Sequence, residues 1–282
     1  MRLRSTLSRN LRLFALTVLV MVAFAANSLL NRVAVGSGEI GAMPFALVRV
    51  IAGAVVLALL ARARPKLSNI APALWLTLYL VGFSLAYLAL NAGVGALILF
   101  AGVQVTMLAG AVIGGERPPT RRFAGAGLAL AGLALLLWPG SEGAPAVRPA
   151  LLMGAAALGW GLYSLAGRKA AQPLQATAAN FLLAVPVVAL AALPFGWGSP
   201  SYQGLALAIV SGALTSGLGY ALWYAVLPQL GATRAAVAQL TVPVIAIVAG
   251  LFFLGETLSL TAGIACAIVL AGVSLAMLPS RR

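Results

Sequence analysis

The chain contains no aspartate and no histidine, and only four acids among its 282 residues: Glu39, Glu116, Glu142 and Glu256. Metal centres are assembled from clustered His, Cys, Asp and Glu, so neither a metal nor another cofactor is expected. A serine nucleophile activated by imidazole needs histidine, so the residue set points away from an enzyme. The single cysteine, Cys266, cannot form an intrachain disulfide and lies in an apolar run, where it serves as a small packing residue. Charged residues make up 8% of the chain, against about 25% in soluble domains. No acid stands at the centre of an apolar run. Proton-coupled and cation-exchanging carriers place a titrating carboxylate or histidine there, and this chain offers neither.

What the chain does contain is apolar sequence: 62% of its residues are hydrophobic. Runs of about 20 apolar residues, the length that crosses about 30 Å of hydrocarbon, recur along its whole length. The short alternating segments of a transmembrane barrel are absent. The expected fold is therefore an all-α polytopic membrane protein with ten transmembrane helices. They fall near 12–34, 42–61, 72–91, 94–114, 121–138, 149–170, 176–194, 203–226, 232–254 and 259–278. Breakers at Pro65, Pro118-Pro119, Pro139-Gly140, Pro194 to Pro200 and Pro279 separate them, and the linkers leave no room for a soluble domain. The first 28 residues have the basic start and apolar centre of a signal peptide, but the apolar run continues to about Val35, so an uncleaved first span is expected.

Basic residues set the orientation. With the N-terminus inside, fifteen of the eighteen Lys and Arg fall on the cytoplasmic side: Arg2, Arg4, Arg9, Arg12, Arg62, Arg64, Lys66, Arg117, Arg121, Arg122, Arg168, Lys169, Arg234, Arg281 and Arg282. Only Arg32 and Arg148 fall outside, and Arg49 lies within the second span. Both termini are thus expected in the cytoplasm. The formal charge of +14 is spread in short clusters between spans, which is not the basic face a nucleic-acid partner would require.

The chain also repeats. AGAVIGGERPPTRRFAGAGLALAGLALLLWP (109–139) aligns without a gap on AGLFFLGETLSLTAGIACAIVLAGVSLAMLP (249–279) at a shift of 140. Gly115-Glu116 then falls on Gly255-Glu256, and Pro139 on Pro279. FAANSLLNR (24–32) lies over WGLYSLAGR (160–168), with Arg32 on Arg168. The expected halves are 1–140 and 141–282, five spans each. Because five is odd, the second half runs inverted, which places Glu116 inside and Glu256 outside. Inverted repeats are the architecture of alternating-access carriers, whose substrate site lies between the halves near the midplane. Glu116 and Glu256 read as repeated helix-end acids, with Glu256 near the positive end of the tenth span.

The strings PVIAIVAGLFFLGETLS and WGLYSLAGRKA, the five-plus-five repeat and the length resemble the drug/metabolite transporter superfamily, EamA type, over essentially the whole chain. Within it the sequence looks most like the bacterial aromatic amino-acid exporters of the YddG type. The resemblance implies a bacterial inner-membrane exporter, of amino acids or of other small metabolites or drugs, with a central cavity formed by the first four helices of each half. The first half departs from the pattern at Val103, which stands where the second half has Pro243. A non-transporting membrane protein such as a lipid scramblase is the alternative outside this class.

Candidate cavity residues follow from helical spacing. Tyr79, Phe83 and Tyr87 share a face of the third span, and Ser216, Tyr220, Trp223 and Tyr224 share one of the eighth. Phe24, Asn27, Ser28 and Asn31 make a stripe on the first span; Trp160, Tyr163, Ser164 and Gly167 make one on the sixth. Each has a plainer reading as helix packing or interfacial anchoring. Aromatic walls and neutral polar stripes suit a small, partly apolar, zwitterionic ligand. Gln104 and Gln239 are the only glutamines well inside spans, and Pro243 interrupts the ninth span and is the candidate hinge. Arg49 is the one charge well inside a span; it either faces the cavity and meets a substrate carboxylate, or bonds carbonyls at a helix end. The fifth and tenth spans, rich in glycine and alanine, read as packing scaffold, within the monomer or across a homodimer.

Overall fold

A computed structural model describes residues 2–138, 144–168 and 170–277; Glu142, Lys169 and the Pro139–Pro279 match lie outside them. Every regular element among the described residues is helical: α1 (Arg2–Gly36), α2 (Ala42–Leu60), α3 (Ile70–Ala86), α4 (Ala92–Ile113), α5 (Thr120–Leu136), α6 (Val147–Gly167), α7 (Pro173–Ala192), α8 (Tyr202–Val210), α9 (Gly219–Gln239), α10 (Thr241–Leu254) and α11 (Leu260–Met277). A π-helical segment, Ser211–Leu218, joins α8 to α9 without a break. Seven of these helical stretches are long and apolar enough to cross a membrane; α10 and most of α11 form shorter apolar helices. Large apolar side chains such as Leu59, Ile113, Phe252 and Phe253 are more than four-fifths exposed, as lipid-facing residues are. With nearly all backbone groups satisfied inside helices, this is a multi-pass membrane protein.

Two boundaries differ from expectation. The eighth and ninth spans were expected to part near residues 227–231, yet helix continues through Pro228 to Gln239 and turns at Leu240. Pro243 then stands third in α10, so it does not kink a helix from within. In the first turn the missing N–H removes no intrahelical bond, which is why the discontinuity falls three residues earlier.

Helix pairing is set by small residues. At α3–α6, a Cβ on Gly159 would lie 2.7 Å from the Trp75 carbonyl and the Tyr79 nitrogen, and one on Gly82 would lie 2.7 Å from the Leu152 carbonyl. The most extensive contact is α5 on α11, where Gly125 and Gly272 each face the other's backbone and Gly132 faces Val269 and Ala265. These glycine faces are consumed inside the chain, as scaffold. The other main pairings are α4 on α6, α2 on α7 and on the π segment, α4 on α10, α1 on α9 and α10, and α3 on α7.

The two Gly-Glu steps have one physical cause. Gly115 and Gly255 both adopt positive φ, 81° and 61°, the left-handed conformation that ends a helix at low cost only for glycine. The next N–H folds back, from Glu116 to the Ala111 carbonyl at 2.9 Å and from Glu256 to the Gly250 carbonyl at 3.1 Å. Each glutamate is thereby turned off its helix end.

Candidate functional site

At the centre, α1, α3, α4, α6 and α9 meet around a small pocket lined by Phe24, Asn27, Ser28, Tyr79, Phe83, Leu99, Phe100, Trp160 and Tyr220. Its walls are stacked rings. Tyr79 lies 4.9 Å from Trp160 and 5.2 Å from Phe83, Phe83 lies edge-on to Tyr87 at 4.7 Å, and Trp160 lies 5.2 Å from Tyr220. Phe24 closes one corner, edge-on to Tyr220 at 5.8 Å and to Trp223 at 6.0 Å. Offset and edge-to-face contacts of this kind favour a ring-bearing or flat apolar guest. Tyr79 and Tyr87 are 4% and 0% exposed, so they are core residues, which rules out the interfacial-anchor reading.

The polar stripe of α1 is wholly buried. Asn27 Oδ1 accepts from Ser211 Oγ at 2.6 Å and Thr215 Oγ1 at 2.9 Å, tying α1 to the π segment. Asn31 Nδ2 donates to Ser84 Oγ at 3.0 Å, while its Oδ1 has no partner. On α6, Tyr163 donates to Thr177 at 3.1 Å. Ser164 Oγ bonds the Trp160 carbonyl at 2.7 Å, so its hydroxyl is spent on its own helix.

Arg49 on α2 is fully buried. Nε donates to Ser216 Oγ at 3.1 Å and Nη2 to Tyr79 Oη at 3.0 Å. The guanidinium carbon lies 5.3 and 5.1 Å from the ring centres of Tyr79 and Phe83, a cation–π geometry. Its recorded partners are side chains of neighbouring helices, and no helix-end carbonyl takes the place expected above. Gln104 and Gln239 are half-buried and, with Trp223 and Tyr224, do not line the pocket.

The two helix-end acids take partners that no sequence pattern announces. Glu256 receives the Ala92 N–H at 2.9 Å on each carboxylate oxygen and pairs with Arg32 Nε at 3.4 Å. Arg32 also donates to the Tyr87 carbonyl at 3.3 Å. The helix terminus that Glu256 neutralises is therefore that of α4, and not the tenth span as expected. Glu116 pairs with Arg168 at 3.6 Å. Arg32 and Arg168 match in the sequence repeat, as do Glu256 and Glu116, so each pair joins an arginine of one half to a glutamate of the other. Ala92 opens and Ile113 closes the 22 residues of α4, so the pairs stand about 33 Å apart, at opposite ends of the bundle. Beyond them, Ser201 donates from its hydroxyl to Glu39 and from its N–H to the Glu39 carbonyl, and this holds the start of α8 to the loop between α1 and α2.

A multi-pass helical bundle with a ring-lined central pocket defines the class as membrane carriers with a site buried among their helices. Residues 147–278 match the EamA-like transporter family. An uncharacterized protein of Pseudomonas aeruginosa is 45% identical over 274 residues, covering 95% of both chains. A crystal structure of a protein 22% identical to this one superposes with a TM-score of 0.67, over 95% of this chain and 99% of that chain, which bears on fold alone. The chain belongs to the EamA-like transporter family, within the drug/metabolite transporter superfamily, and is a membrane transporter of that type.

Proposed function

We propose that this transporter exports amino acids from the cytoplasm, aromatic and other large neutral ones foremost, as the YddG-type exporters it resembles do. The observation that carries this reading is the central pocket, whose apolar lining is chiefly aromatic and whose polar groups, Asn27 and Ser28 beside the tyrosine hydroxyls, are neutral. Rings stack on a ring-bearing side chain, and neutral donors and acceptors suit a head group of zero net charge.

The carrier works by alternating access between two inverted five-helix repeats, with ten spans and both termini cytoplasmic. The helix pairings support this. Let α1 to α5 exchange with α6, α7, the continuous α8–π–α9, α10 and α11. Then α1–α9 becomes α6–α3, α1–α10 becomes α6–α4, and α3–α7 becomes the π segment on α2. The pairs α2–α7, α4–α10 and α5–α11 each map onto themselves, and all of these contacts occur. The two ion pairs exchange in the same way, at opposite ends of α4. Pro243 and the turn at Leu240 supply a hinge between α9 and α10. Among the described residues no carboxylate lines the pocket, which favours facilitated export.

The test is uptake of labelled phenylalanine into proteoliposomes, with and without a pH gradient, against a panel of unlabelled amino acids. Saturable, gradient-independent uptake competed by large neutral amino acids is expected. No uptake of any amino acid by folded protein removes the amino-acid reading.

A further inference from the structure

Among the described residues, Arg49 is a charge without a countercharge. It is fully buried, its two recorded side-chain acceptors are neutral hydroxyls, and Nη1 has no partner. Of the four acids, Glu39 is engaged by Ser201, Glu116 by Arg168 and Glu256 by Arg32 and Ala92, and Glu142 lies outside the described residues. Arginine stays protonated in proteins. A charge in a low-dielectric interior is held at a cost that hydroxyls and ring faces offset only in part. Tyr79 and Phe83, the rings against the guanidinium, are also pocket wall, so the uncompensated charge stands directly behind the site. A second orphan belongs to the same neighbourhood. Asn31 Oδ1 is a buried acceptor without a donor, one helical turn along α1 from the pocket-lining Asn27 and Ser28, and its amide is anchored on Ser84, next in sequence to the Phe83 that lies against Arg49.

We propose that Arg49 Nη1 and Asn31 Oδ1 form a head-group subsite adjoining this pocket, behind the Tyr79 and Phe83 rings, taking the carboxylate and an N–H donor of an α-amino acid when those rings give way, so that a free carboxylate is required for binding. This rests on the transport reading and narrows it, because the countercharge missing from the protein arrives with the ligand. Charge-assisted hydrogen bonds set the scale of discrimination.

The test is binding to the purified full chain in lipid nanodiscs, read by quenching of Trp160, which lines the pocket, in a Trp138→Phe/Trp197→Phe/Trp75→Phe/Trp223→Phe background. Thermal stabilisation of the unsubstituted protein provides a second readout. The probes are L-phenylalanine, its carboxamide and 3-phenylpropionate. In protein with Arg49 intact, the carboxamide is expected to bind about 10- to 100-fold more weakly than the acid, and phenylpropionate to keep part of the affinity. Arg49→Gln is expected to abolish the acid–amide difference and Arg49→Lys to restore part of it. Equal binding of acid and amide to protein with Arg49 intact overturns the proposal without any Arg49 variant, as does the absence of binding by all three. Carboxylate-selective binding without uptake would leave the subsite standing and defeat the amino-acid transport reading instead.

Discussion

Removing the charge of Glu256 should open one end of this transporter and leave the other nearly unchanged. In Glu256→Gln an amide oxygen still reaches the Ala92 N–H, but the ion pair with Arg32 and the charge at the α4 N-terminus are lost. The Glu256 and Arg32 side chains are 11% and 26% exposed, so screening is incomplete. A charge-assisted hydrogen bond is worth about 1.5–3 kcal/mol and a charge at a helix terminus about 0.3–1 kcal/mol. With the retained neutral bond set against these, the net loss is about 2 kcal/mol, or roughly 30-fold in the closed-to-open equilibrium at that end. Arg32→Gln leaves Glu256 on α4 and should cost about 1 kcal/mol, roughly fivefold. Glu116→Gln breaks a longer pair whose partners are 51% and 55% exposed, and should shift the opposite end by less than about twofold. The assay is labelling of a single cysteine, Ser28→Cys in a Cys266→Ala background, by a membrane-impermeant maleimide in vesicles of each orientation. Labelling from the Glu256 side should rise in the order Glu116→Gln, Arg32→Gln, Glu256→Gln. An equal response to Glu116→Gln and Glu256→Gln would refute the reasoning that burial separates the two pairs.

Other outcomes can be stated briefly. Asn27→Ala strands the Ser211 hydroxyl, while Thr215 keeps the Ser211 carbonyl at 2.8 Å; a loss of about 1–3 kcal/mol should appear as a lower melting temperature in detergent. Gly159→Ala forces α3 and α6 apart beside Tyr79 and should cost about 1–3 kcal/mol, with weaker phenylalanine competition and near-normal expression. Trp160→Ala, which deletes a pocket wall shared with Tyr79 and Tyr220, should raise the half-saturating phenylalanine concentration about tenfold or more and affect small neutral amino acids less. Uptake should be flat between pH 6 and 8, because no histidine and no midplane carboxylate titrates there; a sigmoid with one midpoint in that range would contradict this.

Much of the site was legible because helical spacing alone puts Tyr79, Phe83 and Tyr87 on one face and Phe24, Asn27 and Ser28 on another, and both faces turned inward. Arg49 stood out because a lone charge in an apolar run has few ways to be tolerated. The Gly-Glu steps were visible as a repeat, but their partners were not: Ala92 lies 164 residues from Glu256, and no local pattern records a backbone N–H as an acceptor's target. The glutamines carry a weaker signal for a related reason. Gln104 and Gln239 are polar residues in apolar stretches, yet half-burial at positions away from the pocket satisfies that pattern equally well. The π segment left no compositional trace, because SGALTSGL is as compatible with an α-turn as with the wider one. Continuity through Pro228 likewise depends on packing from other helices.

The π segment has a consequence for ligand breadth. A π turn holds one residue more than an α turn, so Ser211–Leu218 carries about one residue of slack. Rewinding it would rotate everything downstream by about 100° and slide it by about 1.5 Å, moving Tyr220 and Trp223 while α8 stays in place. The opposite wall has no such freedom, since Gly82 and Gly159 lock α3 backbone-to-backbone on α6. On such rewinding, one side of the pocket would stay a fixed template and the other would act as an adjustable jaw. A carrier built this way would be strict about the part of a guest that lies on α3 and lenient about the bulk that faces α9.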